Sequence, residues 1–145
     1  MHEPQRSRLA VPAGFSLAQT CGPVAWARGH SPRHAWIDGR LVVVERHADA
    51  VVWRVVRQPD TGTLEIISNG DPARHAAWAR RVLGVDAAPP PYRDATIAAL
   101  AGRFSGLRPY ADGSLFDGLV TSIIGQSVSV AAAAAAQRKL AASFG

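Results

Sequence analysis

Few side chains in this sequence are of a type and spacing that could do chemistry. His30 and His34 stand four apart, the interval at which two imidazoles share a helix face and can hold one metal ion, but Ser31-Pro32 between them forbids that helix. Cys21 is the single cysteine. It can form neither an internal disulfide nor a multi-thiolate centre, and its expected role is a small buried hydrophobe in a reducing compartment. Ser16, Ser68 and Ser143 lie in no nucleophile elbow. Trp26, Trp36, Trp53 and Trp78 have ring faces that can stack on bases, yet each falls on an element that needs a core, and core is what we expect of them. Arg54, Arg57, Arg80 and Arg81 are expected on a solvated face. No metal and no cofactor is implied by any of these groups.

The overall charge is more informative than any one of them. The 145 residues carry 16 basic against 11 acidic side chains, and every basic residue except Lys139 is arginine. A net charge of +5 draws a chain towards polyanions, and the arginine fork suits phosphate. With 48% hydrophobic and 19% charged residues the chain is neither disordered nor collagen-like. Leu119 to Ala136 has no charged residue, but Gly125, Gln126, Ser127 and Ser129 interrupt it, so two helices are expected there rather than a membrane span. Nothing near Met1 reads as an export signal, and the cytoplasm is the expected location.

The elements that would position these residues follow from turn and cap chemistry. Asp38-Gly39 tolerates positive φ at both positions and should close a hairpin between strands His34 to Ile37 and Arg40 to Glu45. Strands Ala50 to Arg57 and Leu64 to Ser68 follow, separated by Gln58-Pro59-Asp60-Thr61-Gly62. In the first of these, Val52, Arg54 and Val56 share one face while Val51, Trp53 and Val55 share the other, so helices should cover one side of the sheet. Asp71-Pro72 opens a helix, Ala73 to Leu83, that Gly84 closes. Ala87 to Pro91 then breaks both helix and sheet. Beyond it, Asp94 caps a helix with Ile97, Leu100, Ala101 and Phe104 on one face, and Ser105-Gly106 stops it. Ser114 with Asp117 starts a second, whose Leu115, Phe116, Leu119, Val120, Ile123 and Ile124 should be buried on one face. Ser127 or Ser129 caps a third, which runs through six alanines to Phe144. The expected organisation is an α/β domain over residues 1–86, a linker over 87–92, and an incomplete all-α domain over 93–145.

Gly106-Leu107-Arg108-Pro109, together with the run from Leu115 through Gly125-Gln126-Ser127-Val128-Ser129-Val130, resembles the DNA-3-methyladenine glycosylase II family of helix-hairpin-helix base-excision glycosylases. The resemblance implies an α+β fold. An N-terminal antiparallel sheet with helices, similar to half of the TATA-binding-protein fold, would precede the first helices of an all-α helix-hairpin-helix glycosylase domain. It also implies an activity, removal of alkylated bases of the 3-methyladenine type from double-stranded DNA by hydrolysis of the N-glycosidic bond. A base inside a duplex is out of reach, so such an enzyme bends the DNA, inserts a wedge and swings the nucleotide out. A carboxylate near the sugar then stabilises the oxocarbenium ion, without a metal or other cofactor.

Carried onto this chain, the wedge turn is Gly125-Gln126-Ser127 and a position lining the base pocket is Val130. The residue after the glutamine is bulkier in the family, and Ser127 in its place shifts the plug to Gln126. The plainer roles are a helix end for Gln126 and core for Val130. The family's glycine-rich hairpin and its catalytic aspartate have no counterpart in the sequence. Asp112 and Asp117 read as turn and cap residues, so no residue of the chain is assigned to catalysis. The chain is therefore expected to be the N-terminal part of such a glycosylase, acting with a separate C-terminal half that carries the hairpin. The other readings are a non-enzymatic basic module that binds DNA or a protein, and a nonfunctional remnant.

Overall fold

The computed structural model describes residues 3–22, 33–47, 50–88, 90–111, 115–126 and 128–144. Among them, five antiparallel strands make one sheet: β1 (Gln5–Ala10), β2 (His34–Ile37), β3 (Arg40–His47), β4 (Ala50–Asp60) and β5 (Thr63–Ser68), in the order β1-β5-β4-β3-β2. The helices are α1 (Leu17–Thr20), α2 (Pro72–Val82), α3 (Ala95–Arg103), α4 (Leu115–Gly125) and α5 (Val130–Phe144). The architecture is α+β, as the sequence led us to expect.

Local chemistry accounts for most of these elements. Asp38 and Gly39 both take positive φ, 49° and 73°, which matches the right-handed twist of β2 and β3 and closes the hairpin in two residues. Asp71 accepts from the Ala73 amide with Pro72 behind it at the helix start, and Asp94 accepts from the Thr96 and Ile97 amides of α3. β4 runs three residues past the expected end, because a register shift between Arg57 and Asp60 lets Pro59, which has no N–H to give, sit in the strand. The expected loop shrinks to Thr61-Gly62. β1 was not expected at all; it pairs along β5 from Gln5 opposite Ser68 to Ala10 opposite Thr63.

The core lies between one sheet face and α1 with α2. Leu9, Leu41, Val43, Val56, Leu64 and Ile66 meet Trp78, Ala79, Val82 and Leu83 from α2 and its end, with Phe15, Leu17 and Cys21 closing one side. Cys21 is wholly buried, as expected, and burial pushes its thiol up to about 12. Trp78 belongs to the core and Trp36 packs against it, whereas Trp26 lies outside the described residues.

Arg54 overturns an expectation. It shares the inward face with Val56 and is 6% exposed, so it is no part of a solvated face. Its guanidinium bonds Glu45 at 2.6 Å, donates from Nε to His75 Nδ1 at 2.8 Å, and lies 4.5 Å from the centre of the Trp78 ring. A charge can be buried there because an anion, an imidazole lone pair and an aromatic face all converge on it. The alternation of β4 puts Arg54 on one face with Val56, and these partners make that face the buried one.

After α3 the chain returns to the sheet domain. Ser16 N donates to Gly106 O, Gly106 N to Gln19 Oε1, Arg108 N to Thr20 Oγ1, and Ala111 N to Val82 O. Arg108 is itself buried, its Nη1 donating to the carbonyls of Ser105 and Leu107 just past the end of α3. The Tyr110 hydroxyl and His34 Nδ1 share a hydrogen bond of 2.7 Å. A side chain on Gly106 would collide with Ser16 and with the Gly14 carbonyl, so glycine is what lets the two segments touch.

Candidate DNA interface

The wedge turn implied by the sequence joins α4 to α5. Gly125 is the last residue of α4, and the Gln126 amide reaches back to Ile123 O over 3.4 Å. Ser127 lies outside the described residues. Ser129 starts α5, its hydroxyl accepting from the Ala132 amide at 3.3 Å and its carbonyl from the Ala133 amide at 2.9 Å. The two helices contact each other, and Ala133 and Ala134 are buried. Small side chains on α5 permit that approach.

Gln126 and Val128 project from this turn into solvent. Val130, the first residue of α5, is 55% exposed. The turn offers an amide and two branched apolar side chains, groups that can enter a base stack or lie against a base. It offers no charge.

Six of the described carboxylates are engaged away from this turn. Asp71 and Asp94 cap helices, Asp60 accepts from the Gly62 amide, Asp86 pairs with Arg80, Glu45 with Arg54, and Glu65 with Arg57. Asp112 and the side chain of Asp117 lie outside the described residues. No group of three or more His, Cys, Asp or Glu side chains able to hold a metal occurs among the described residues. His34 is buried against Tyr110, and His30 lies outside the description. No described helix is long and apolar enough to cross a membrane.

The apolar stripes of the later helices are not buried as the sequence suggested. Leu115 is 82% exposed, Phe116 70% and Ile123 68%, while Val120 and Ile124 are partly covered. On α3, Ile97, Leu100 and Phe104 are about half exposed. The pattern is that of core-facing helices, and among the described residues no element covers those faces.

No protein-family model matches the chain, and no curated protein matches it. Among solved structures it is similar to the 3-methyladenine DNA glycosylase from Archaeoglobus fulgidus, with a TM-score of 0.76 and 18% identity. The match covers 96% of this chain and 51% of that one, so the chain spans about half of that enzyme's length. The match thus takes in nearly the whole of this chain within a single partner, in agreement with the resemblance carried by Gly106 to Pro109 and Gly125 to Val130. The chain has the α+β fold of a 3-methyladenine DNA glycosylase, over the half of that enzyme which the match covers.

Proposed function

We propose that this chain is the N-terminal part of a base-excision DNA glycosylase that removes alkylated bases of the 3-methyladenine type. Its share of the work is prying. Gly125, Gln126 and Ser127 form the wedge turn, Gln126 fills the space that the flipped nucleotide leaves, and Val130 lines the base pocket. Hydrolysis of the N-glycosyl bond is assigned to the helix-hairpin-helix and the aspartate of a separate C-terminal half. The residues divide into a sheet domain, 1–86, a linker, 87–92, and the first part of a helical domain, 93–145. The protein works in the cytoplasm, on the nucleoid, without a metal.

The observation that carries this reading is the match to a glycosylase over 96% of the chain but only 51% of the enzyme. The exposed faces of α3, α4 and α5 support it, since a second half of the same fold supplies what such faces need. The test is base release from methylated duplex DNA. The chain alone should release none, and the chain mixed with a C-terminal half bearing the hairpin and aspartate should release methylated purines. Release by the chain alone would refute the division of labour.

Those same exposed faces also favour a second reading, a basic module without enzymatic activity. Tight, salt-dependent binding of undamaged duplex, with no chemistry restored by any C-terminal half, would favour it.

A further inference from the structure

Among the described residues, the sheet's second face belongs to no core. Inward side chains of β4 are Arg54 and Val56, so the two-residue period turns Val51, Trp53, Val55 and Arg57 the other way. Strand register carries that face across the sheet: Val55 stands opposite Val42 and Ile67, and Trp53 opposite Val44. None of these is a core residue, and Val44 and Val51 are about half exposed.

The next row on the same face is basic. Glu65 stands opposite both Arg57 and Arg8, and Arg40 comes just before Leu41, whose partner is Val56, which sets Arg40 beside Arg57. Arg6 lies level with Ile67. Glu65 pairs closely with Arg57 and, at 3.7 Å, with Arg6. Against Arg6, Arg8, Arg40 and Arg57 it is a single carboxylate, so this border keeps a net excess of positive charge. An apolar band thus runs beside a basic one.

We propose that this outer face docks an acidic amphipathic helix of a partner protein. Neighbouring strands are about 4.8 Å apart, which puts Arg40 and Arg57 roughly 5 Å apart and Arg57 and Arg8, with β5 between them, roughly 10 Å apart. A helix rises 1.5 Å per residue, so carboxylates about three and ten positions beyond a first one meet all three arginines. Successive rows on one face of a strand are about 7 Å apart, and a helix about 10 Å across spans both. Its apolar stripe then covers Val42, Val55, Trp53 and Ile67 while its acidic flank meets the arginines. Duplex DNA would use only half of this surface, because phosphates satisfy arginine but a hydrated backbone gains little from valine. The docking rests on the sheet alone and is independent of any chemistry on DNA.

The test is methyl NMR of the whole chain titrated with a synthetic amphipathic helix bearing glutamates at those positions, with its lysine counterpart, and with a short random duplex. The glutamate peptide should shift the methyls of Val42, Val55 and Ile67, and the lysine peptide should not. Arg8→Gln combined with Arg40→Gln should weaken binding about tenfold. Val42→Glu should abolish it, with circular dichroism unchanged in both variants. Arg57 is left in place because Glu65 depends on it. Unmoved methyls at millimolar peptide, equal binding of the lysine peptide, or larger shifts of the same methyls by the duplex would each overturn the proposal.

Discussion

Replacing Arg54 with methionine should be among the most damaging single changes in the sheet domain. Methionine keeps an aliphatic stem over Trp78 but takes from the Glu45 carboxylate, whose side chain is 12% exposed, its 2.6 Å bond to the guanidinium, and from His75 Nδ1 its donor. Removing one member of a buried ion pair costs about 3–5 kcal/mol, because the remaining charge loses a compensating partner in a poorly solvated place. For a chain of this size that is a large share of a total stability on the order of 5–15 kcal/mol. With a urea m-value near 2 kcal/mol per molar, the midpoint should fall by roughly 1.5–2.5 M. The assay is urea unfolding followed by circular dichroism and tryptophan fluorescence, on Arg54→Met, Glu45→Gln and the double variant. The double variant should recover much of the loss, since neither charge of the Arg54–Glu45 pair remains to be desolvated. A loss below about 1 kcal/mol for Arg54→Met, or a double variant no more stable than the single, would show that the cluster is not a buried ion pair in the energetic sense.

Three further outcomes are expected. Gly84 sits at φ +54°, and a β-carbon there would come within 2.6 Å of the Pro109 carbonyl, so Gly84→Ala should cost about 2–4 kcal/mol and loosen residues 105–111, read as faster amide exchange at Ala111. Burial, and then the charge of Arg54, hold His75 below the ordinary imidazole value of 6.5. The unfolded chain therefore binds a proton there that the folded chain refuses; stability is full above about pH 6.5 and declines as pH drops below it, and His75→Gln should flatten that limb of a melting-temperature profile. Cys21, its thiol pushed up to about 12, should react with iodoacetamide at pH 8 only at the rate of unfolding, and labelling at the rate of a free peptide would contradict its burial.

How much of this was legible beforehand depends on where each residue's partners lie in the chain. Asp38-Gly39, Asp71-Pro72 and Asp94 act within a few positions of themselves, so the hairpin and the starts of two helices could be read directly. β1 could not. Its outward residues are Arg6 and Arg8 and its inward ones Ser7 and Leu9, a weak alternation that becomes a strand only beside β5. Arg54 could be seen to share a face with Val52 and Val56, but its burial there depends on Glu45, His75 and Trp78, drawn from another strand and from α2. The segment Gly106 to Pro109 was legible as a motif, while its hydrogen bonds to α1 involve residues far upstream. At the site, Gly125 ends α4 and Gln126 follows it before α5 begins at Val130. The exposure of Val130, by contrast, depends on which elements surround the helix rather than on the residue itself.

The order of strands in the sheet also sets an order in time. β2 to β5 follow one another through tight connections, so they can zip up locally, whereas β1 must wait for β5 to exist and then close a long loop onto it. During synthesis the N-terminal segment emerges first yet docks last. Until it arrives, one margin of the nascent meander offers unsatisfied amides and carbonyls to any extended chain nearby, which makes this interval the one in which misassociation is most probable.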